Sequence, residues 1–170
     1  MSKGTVAFPI ADGVEDLEYH VTRMRLEEEG YKCVSAGLKK ESITGKNGLI
    51  IEVEVLISDL KADDLIGLVL AGGWATDKLR RYDNVNELIK NVNSQNKIIG
   101  IICHGGSMAI SAGIVAGKKS TGSLGIKDDL VNAGATWVDA PAFADGNLVW
   151  GRVVADIPDF CREMVKALNK

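Results

Sequence analysis

Short, uninterrupted apolar runs, each followed by a turn and a helix-period segment, restrict this chain more than any other feature. Thr5–Ala11, Tyr31–Ala36, Ile66–Leu70 and Ile98–Ile102 are such runs. A strand that is apolar at every position has no solvent face, so it belongs in a sheet covered on both sides. Helical segments fall between and after them: about Glu15 to Glu29, Val85 to Asn93, a small-residue stretch through Ala112, Lys127–Ala133, and a last helix from near Ile157. This alternation predicts a parallel α/β sandwich with helices on both faces of the sheet.

Local signals fill in the outline. Leu17, Val21 and Met24 recur at i, i+4 and i+7 and predict the buried stripe of the first helix, which Gly30 stops. Lys46-Asn47-Gly48 marks a tight turn, because Asn-Gly tolerates positive φ, so Thr44 to Ile57 reads as a hairpin-like insertion. Asn84 and Glu87 have capping-box spacing ahead of the stripe Val85, Leu88, Ile89 and Val92. Thr136–Val138 and Leu148–Val153 are strand-like. Asp156 is the expected N-cap of the last helix, with Pro158 in its first turn and Phe160, Cys161 and Met164 on its buried face. No linker, repeat or low-complexity tract interrupts the chain, so residues 1–170 read as one domain.

Composition excludes several functions. The net charge of −3 argues against a nucleic-acid partner. No apolar run approaches the ~18 residues of a membrane span. The start Met-Ser-Lys-Gly-Thr-Val-Ala-Phe runs into a strand without a signal-peptide core, which makes a cytoplasmic location the expectation. Cys33, Cys103 and Cys161 are too few and too scattered for a disulfide framework, and His20 and His104 are the only histidines. No metal and no cofactor is expected; Gly72-Gly73 lacks the pattern of a phosphate loop.

Sites in open parallel sheets lie beyond the carboxyl ends of the strands. Three such ends carry chemistry: Asp12 to Glu15, Gly72 to Asp77, and Cys103 to Gly106. The run Gly100-Ile101-Ile102-Cys103-His104-Gly105-Gly106-Ser107 puts a nucleophile on a sharp turn between a buried strand and a helix, which is the logic of a nucleophile elbow with Cys in place of Ser. Backbone N–H groups at the following helix favour a thiolate and suit a developing oxyanion. Cys33 and Cys161 read as structural. His104 follows the nucleophile directly, and adjacent side chains usually diverge, so a base role there needs unusual geometry. Glu15, at the start of the first helix, is placed to hold a proton beside the thiol. It equally suits a plain first-turn acid, a role for which Asp12, Asp16 and Glu18 compete. Gly73 reads either as an oxyanion donor or as a tight turn.

These residues, taken with Val14-Glu15-Asp16-Leu17-Glu18, Ile43-Thr44-Gly45-Lys46-Asn47-Gly48, Leu68-Val69-Leu70-Ala71-Gly72-Gly73, Ile102-Cys103-His104-Gly105, Ile110-Ser111-Ala112-Gly113, Gly125-Ile126-Lys127-Asp128-Asp129 and Asn132 to Asp139, resemble the PfpI intracellular-protease branch of the DJ-1/PfpI superfamily over nearly the whole chain. The resemblance implies a flavodoxin-like three-layer sandwich with a mostly parallel sheet and a nucleophile at Cys103. It implies that Glu15 contacts the thiol, and that the backbone N–H groups of Gly73 and His104 form the oxyanion hole. It further implies that His104 is oriented by an acid from a neighbouring subunit, the position held here by Asp77, and hence a homo-oligomer, a dimer or a hexamer.

Departures from the family pattern cluster around the site. Trp74 follows the glycine pair, Asp77 is one methylene shorter than the usual Glu, Gly106 stands for Pro, and only Arg152 and Asp156 persist of a terminal motif that begins at Gly151. They point to altered substrate choice or reduced activity. The leading expectation is a cysteine-dependent hydrolase acting on small carbonyl substrates, glycated or methylglyoxal-type adducts, as deglycases and glyoxalases do. An intracellular cysteine peptidase taking peptide substrates is the alternative within enzymes. A redox-sensing, stress-protective protein is the alternative outside them, because peroxide oxidises the same activated thiol.

Overall fold

The computed structural model describes residues 2–170. The strands are β1 (Thr5–Pro9), β2 (Lys32–Gly37), β3 (Ile43–Thr44), β4 (Ile50–Ile51), β5 (Val55–Leu56), β6 (Gly67–Leu70), β7 (Ile98–Ile102), β8 (Lys119–Ser120), β9 (Thr136–Trp137), β10 (Ala142–Asp145) and β11 (Leu148–Gly151). The helices are α1 (Asp16–Glu28), α2 (Ala75–Leu79), α3 (Asp83–Ser94), α4 (Gly106–Ser111), α5 (Lys127–Asn132) and α6 (Ile157–Leu168).

Seven strands form the main sheet in the order β10-β11-β7-β6-β1-β2-β5. All neighbours pair parallel except the edge hairpin β10–β11. The apolar runs occupy the sheet centre: β6 is buried at every position, and β1 and β7 at all but their first. Helices α1 and α6 pack together on one side, while α3 and α4 pack against β6 and β7 from the other. Phe8, Trp150 and Phe160 are among the largest fully buried side chains. The parallel α/β expectation therefore holds. Among the described residues no helix is long and apolar enough to cross a membrane.

The structure corrects several local readings. Leu17, Val21 and Met24 are 49%, 39% and 56% exposed, so the apolar stripe of α1 faces outward. The buried face carries Asp16, Glu18, Tyr19, Thr22 and Leu26 instead. Polar side chains can be buried here because each finds a partner: Asp16 accepts from the N–H groups of Asn47 and Leu49 at 2.8 and 2.7 Å, Glu18 from Gly72 at 2.6 Å, and Tyr19 pairs with Ser35 at 2.6 Å. Periodicity counts apolar residues; it cannot see that a carboxylate will be met by backbone donors.

The Lys46-Asn47-Gly48 turn does join an antiparallel pair, β3 and β4, but β5 leaves that hairpin and extends the main sheet beside β2. Helix α3 starts at Asp83, with Tyr82 at its N-cap and no side-chain cap, so Asn84 and Glu87 lie inside the helix and form no capping box. Asp156 is the N-cap of α6 as expected, with Pro158 in the first turn, but its side chain makes no cap bond; Arg152 takes its carboxylate at 2.9 Å. Helix α2 and strand β10 have no counterpart in the sequence reading.

Candidate active site

The carboxyl ends of β1, β6 and β7 lie side by side, because these three strands are neighbours in the sheet. Their outgoing loops enclose a cavity of about 360 Å³ lined by Glu15, Glu18, Gly73, Trp74, Cys103 and His104, with Lys46 and the Val153–Ala155 segment completing the wall. Three stretches far apart in sequence are thus collected into one crevice.

Cys103 directly follows β7 and carries a φ of 57°, a left-handed conformation that a non-glycine residue adopts only under constraint. The constraint is packing. Gly105 lies so close to the end of β6 that a Cβ there would stand 2.0 Å from the Leu70 carbonyl oxygen. The tight Cys103–Gly105 turn that follows also swings His104 back. Its Nδ1 comes to 3.4 Å from the Cys103 sulfur, so these adjacent side chains do meet. His104 Nε2 makes no hydrogen bond among the described residues. Burial, then the charge of Lys46, lowers the His104 pKa, which keeps the ring neutral at pH 7 and able to accept a proton.

Glycine 73 follows β6 with φ 76°, and a Cβ there would stand 2.3 Å from the Gly13 oxygen. Only glycine fits. The flanking groups are engaged: Glu15 N–H donates to the Gly72 oxygen and Trp74 N–H to the Gly13 oxygen. The Gly73 N–H itself meets no acceptor among the described residues, as an oxyanion donor requires.

The acid beside the thiol is Glu18, and the assignment to Glu15 is corrected. Glu15 is the N-cap of α1. Its Oε2 accepts the Glu18 N–H at 2.8 Å and its Oε1 the Asn47 side-chain amide at 3.2 Å, so both oxygens are committed. Glu18 lies almost one turn further along. It is wholly buried, its Oε2 accepts from Gly72 N–H, its Oε1 has no hydrogen-bond partner among the described residues, and the Cys103 thiol lies beside the carboxyl. The only available signal was the i, i+3 spacing, which puts both acids on one helix face without saying which one reaches the sulfur.

Electrostatics modifies the picture of a thiolate held by amides alone. Burial, then the charge and hydrogen bond of Glu18, pushes the Cys103 thiol up to about 12, and the His104 backbone N–H opposes this only in part. Burial also raises Glu18 to about 7. The two groups compete for one proton. When the carboxyl holds it, the repulsion vanishes and the acid can donate to an ionised sulfur. Burial pushes Cys33 up to about 12 as well and raises Cys161, so it is its place on the cavity wall, not the pKa of its thiol, that sets Cys103 apart.

Asp77 is not part of this cavity in its own chain. It sits on α2, exposed to solvent, and pairs with Arg81. Arg152 binds Asp139 at 2.7 Å and Asp156 at 2.9 Å, which anchors the start of the Val153–Ala155 wall. Glu18 and Lys46, read from the sequence only as a competing first-turn acid and as part of a tight turn, both line the cavity. Among the described residues no three His, Cys, Asp or Glu side chains converge as a metal site.

The DJ-1/PfpI family model matches residues 4–167. A deglycase of Pyrococcus abyssi is 40% identical over 159 residues, covering 94% of this chain and 96% of its own length. The deglycase PfpI of Pyrococcus furiosus is 36% identical, with 96% and 99% covered. YraA of Bacillus subtilis, named as a candidate cysteine protease, is 36% identical, with 99% and 100% covered. Among solved structures, the DJ-1/ThiJ/PfpI-like and ferritin-like two-domain protein of Anabaena variabilis superposes with a TM-score of 0.95 at 30% identity, over 98% of this chain and 48% of that one. Schizosaccharomyces pombe DJ-1 shares the fold, with a TM-score of 0.87 at 19% identity, over 97% of this chain and 95% of that one.

Proposed function

The chain belongs to the DJ-1/PfpI family, and from that premise we propose that it is a cysteine-dependent hydrolase of small carbonyl compounds, acting on glycated or methylglyoxal-type adducts. The observation that carries this reading is the placement of Cys103 between a neutral His104 at 3.4 Å and the unoccupied N–H of Gly73, at the base of a small cavity. Names given to relatives agree in class: the Pyrococcus proteins are called deglycases.

In the reaction the Cys103 sulfur adds to an electrophilic carbonyl carbon. A C–S bond forms and the carbonyl π pair moves to oxygen, where the Gly73 N–H receives it. The attacked carbonyl is the aldehyde carbon freed when the adduct's bond to its amine or thiol breaks, that group leaving with the carbinol proton. His104 passes the Cys103 proton to the oxyanion and then moves the C–H proton of the attacked carbon to the neighbouring ketone carbon, which gives a thioester with no external oxidant. Water then adds to the enzyme-bound carbon, the C–S bond breaks, and the sulfur recovers its proton. Glu18 governs how readily that sulfur ionises.

Asp77 enters from a neighbouring copy in this reading. His104 Nε2 is open, and Asp77 faces solvent on its own chain. Asp77→Ala is expected to lower turnover while leaving thermal stability unchanged; full activity in an isolated monomer would contradict the assignment.

The central test is turnover of the hemithioacetal formed from methylglyoxal and N-acetylcysteine. Wild type and Cys33→Ser should release the thiol catalytically, and Cys103→Ser should not. Stoichiometric oxidation of Cys103 without turnover would replace the enzyme by a redox sensor. Likeness to YraA favours a peptidase as the second reading. Casein zymography on the native assembly decides it, and Trp74 at the mouth of so small a cavity weighs against an extended peptide.

A further inference from the structure

Lys46 is the one lysine on the wall of the Cys103 cavity, and the fold takes trouble to present it. Its backbone N–H is tied to the Val14 oxygen at 2.8 Å, and Gly45 N–H to the Leu49 oxygen at 2.7 Å. The Asp16 carboxylate grips the next residues of the same turn through the N–H groups of Asn47 and Leu49. The ammonium lies over the Trp74 ring, 5.6 Å from its centroid, and forms no ion pair among the described residues.

The two carboxylates of the cavity do not claim this charge. Glu15 is held by a backbone N–H and Asn47, and Glu18 by Gly72 and the thiol. An aromatic face steadies a cation without neutralising it. The field of Lys46 nevertheless reaches the working groups, since it lowers the proton affinity of both Glu18 and His104. An unpaired cation on the same cavity wall as a nucleophile and an open N–H donor is an arrangement that seats an anion next to a reacting carbon.

We propose that Lys46 anchors a carboxylate of the substrate, so that the site selects carbonyl adducts bearing an anionic group near the carbon that Cys103 attacks. The substrate class rests on the hydrolase reading above; the anion anchor does not, and the test separates the two.

Iodoacetate and iodoacetamide differ by a carboxylate against a carboxamide, and each alkylates a thiolate with release of iodide. Their rate constants at Cys103, followed by peptide mass spectrometry at low ionic strength, give a ratio that cancels any change in thiol ionisation. In Lys46→Met the iodoacetate-to-iodoacetamide ratio should fall about tenfold, the effect of losing one charge-assisted contact, and Lys46→Arg should keep it within about twofold. Lys46 is exposed, so these variants are expected to fold. An unchanged ratio in Lys46→Met overturns the anchor.

Turnover is read in parallel on methylglyoxal hemithioacetals of N-acetylcysteine and of N-acetylcysteinamide. The ratio of the carboxylate adduct's KM to the carboxamide adduct's should rise about tenfold in Lys46→Met, since any change in Glu18 and His104 ionisation acts on both adducts alike. If neither adduct turns over while the alkylation ratio still falls, the anchor stands and the carbonyl-hydrolase reading fails. If both turn over with equal KM in wild type, the reading stands and the anchor fails.

Discussion

The Glu18 carboxyl lies beside the Cys103 thiol, buried, with one oxygen gripped at 2.6 Å by the Gly72 N–H. The acid is therefore fixed by the same glycine pair that opens the oxyanion donor one residue later. Three acids of one helix start have three different tasks: Glu15 caps α1, Asp16 latches the Lys46 turn, and Glu18 governs the sulfur.

Replacing the acid should make the sulfur easier to ionise at high pH. Burial is the first cause of the raised Cys103 pKa and the Glu18 charge the second; Glu18→Gln removes only the second. The high-pH midpoint of Cys103 alkylation should move down by roughly a unit or more, the size expected of a like charge removed at close range. Wild type should titrate in two steps and the variant in one. An upward or absent shift would show that Glu18 does not face the thiol.

The same residue makes stability depend on pH in an unusual direction for a carboxylate. Its pKa rises from 4.5 to about 7 in the folded protein, so the folded state binds the extra proton between those values. Stability from this group is present below the unfolded pKa and is lost as pH climbs through 7. The loss is about 3 kcal/mol at 1.36 kcal/mol per unit, and the buried position calls for no solvent discount. Glu18→Gln should match wild type near pH 4.5 and exceed it by about that amount near pH 8 in urea unfolding. A constant difference across that range would refute the shift.

Gly73→Ala should be damaging out of proportion to its size. It places a Cβ at positive φ and within 2.3 Å of the Gly13 oxygen. A cost of at least about 1–3 kcal/mol follows from the backbone strain alone. Thermal melting measures it, and the alkylation rate of Cys103 should change with it because the loops share one wall. A variant as stable as wild type would mean that the β6 loop is not packed as described.

Much of the fold was legible because it depends on what water excludes. Ile98–Ile102 and Ile66–Leu70 are apolar at nearly every position, and such runs have few alternatives to a covered parallel strand. Cys103 was legible for the related reason that a thiol between a buried strand and paired glycines sits where chains reverse. The face of α1 was not legible. Leu17, Val21 and Met24 carried the periodic signal, yet the buried side is held by Asp16, Glu18 and Tyr19 through partners 16 to 54 residues away. Helix α2 and strand β10 escaped as well, because their residues acquire a role only against neighbours.

The sequence by itself determined a parallel sandwich and a cysteine at a strand end, since these follow from solvent exclusion and local chain geometry, while the family was legible as a resemblance carried by motifs along the chain. Only the tertiary structure decided that Glu18 rather than Glu15 meets the sulfur and that Lys46 reaches the same cavity. Both depend on which carboxylate is already taken by backbone donors from another part of the chain, and that is settled in space, after the chain has closed.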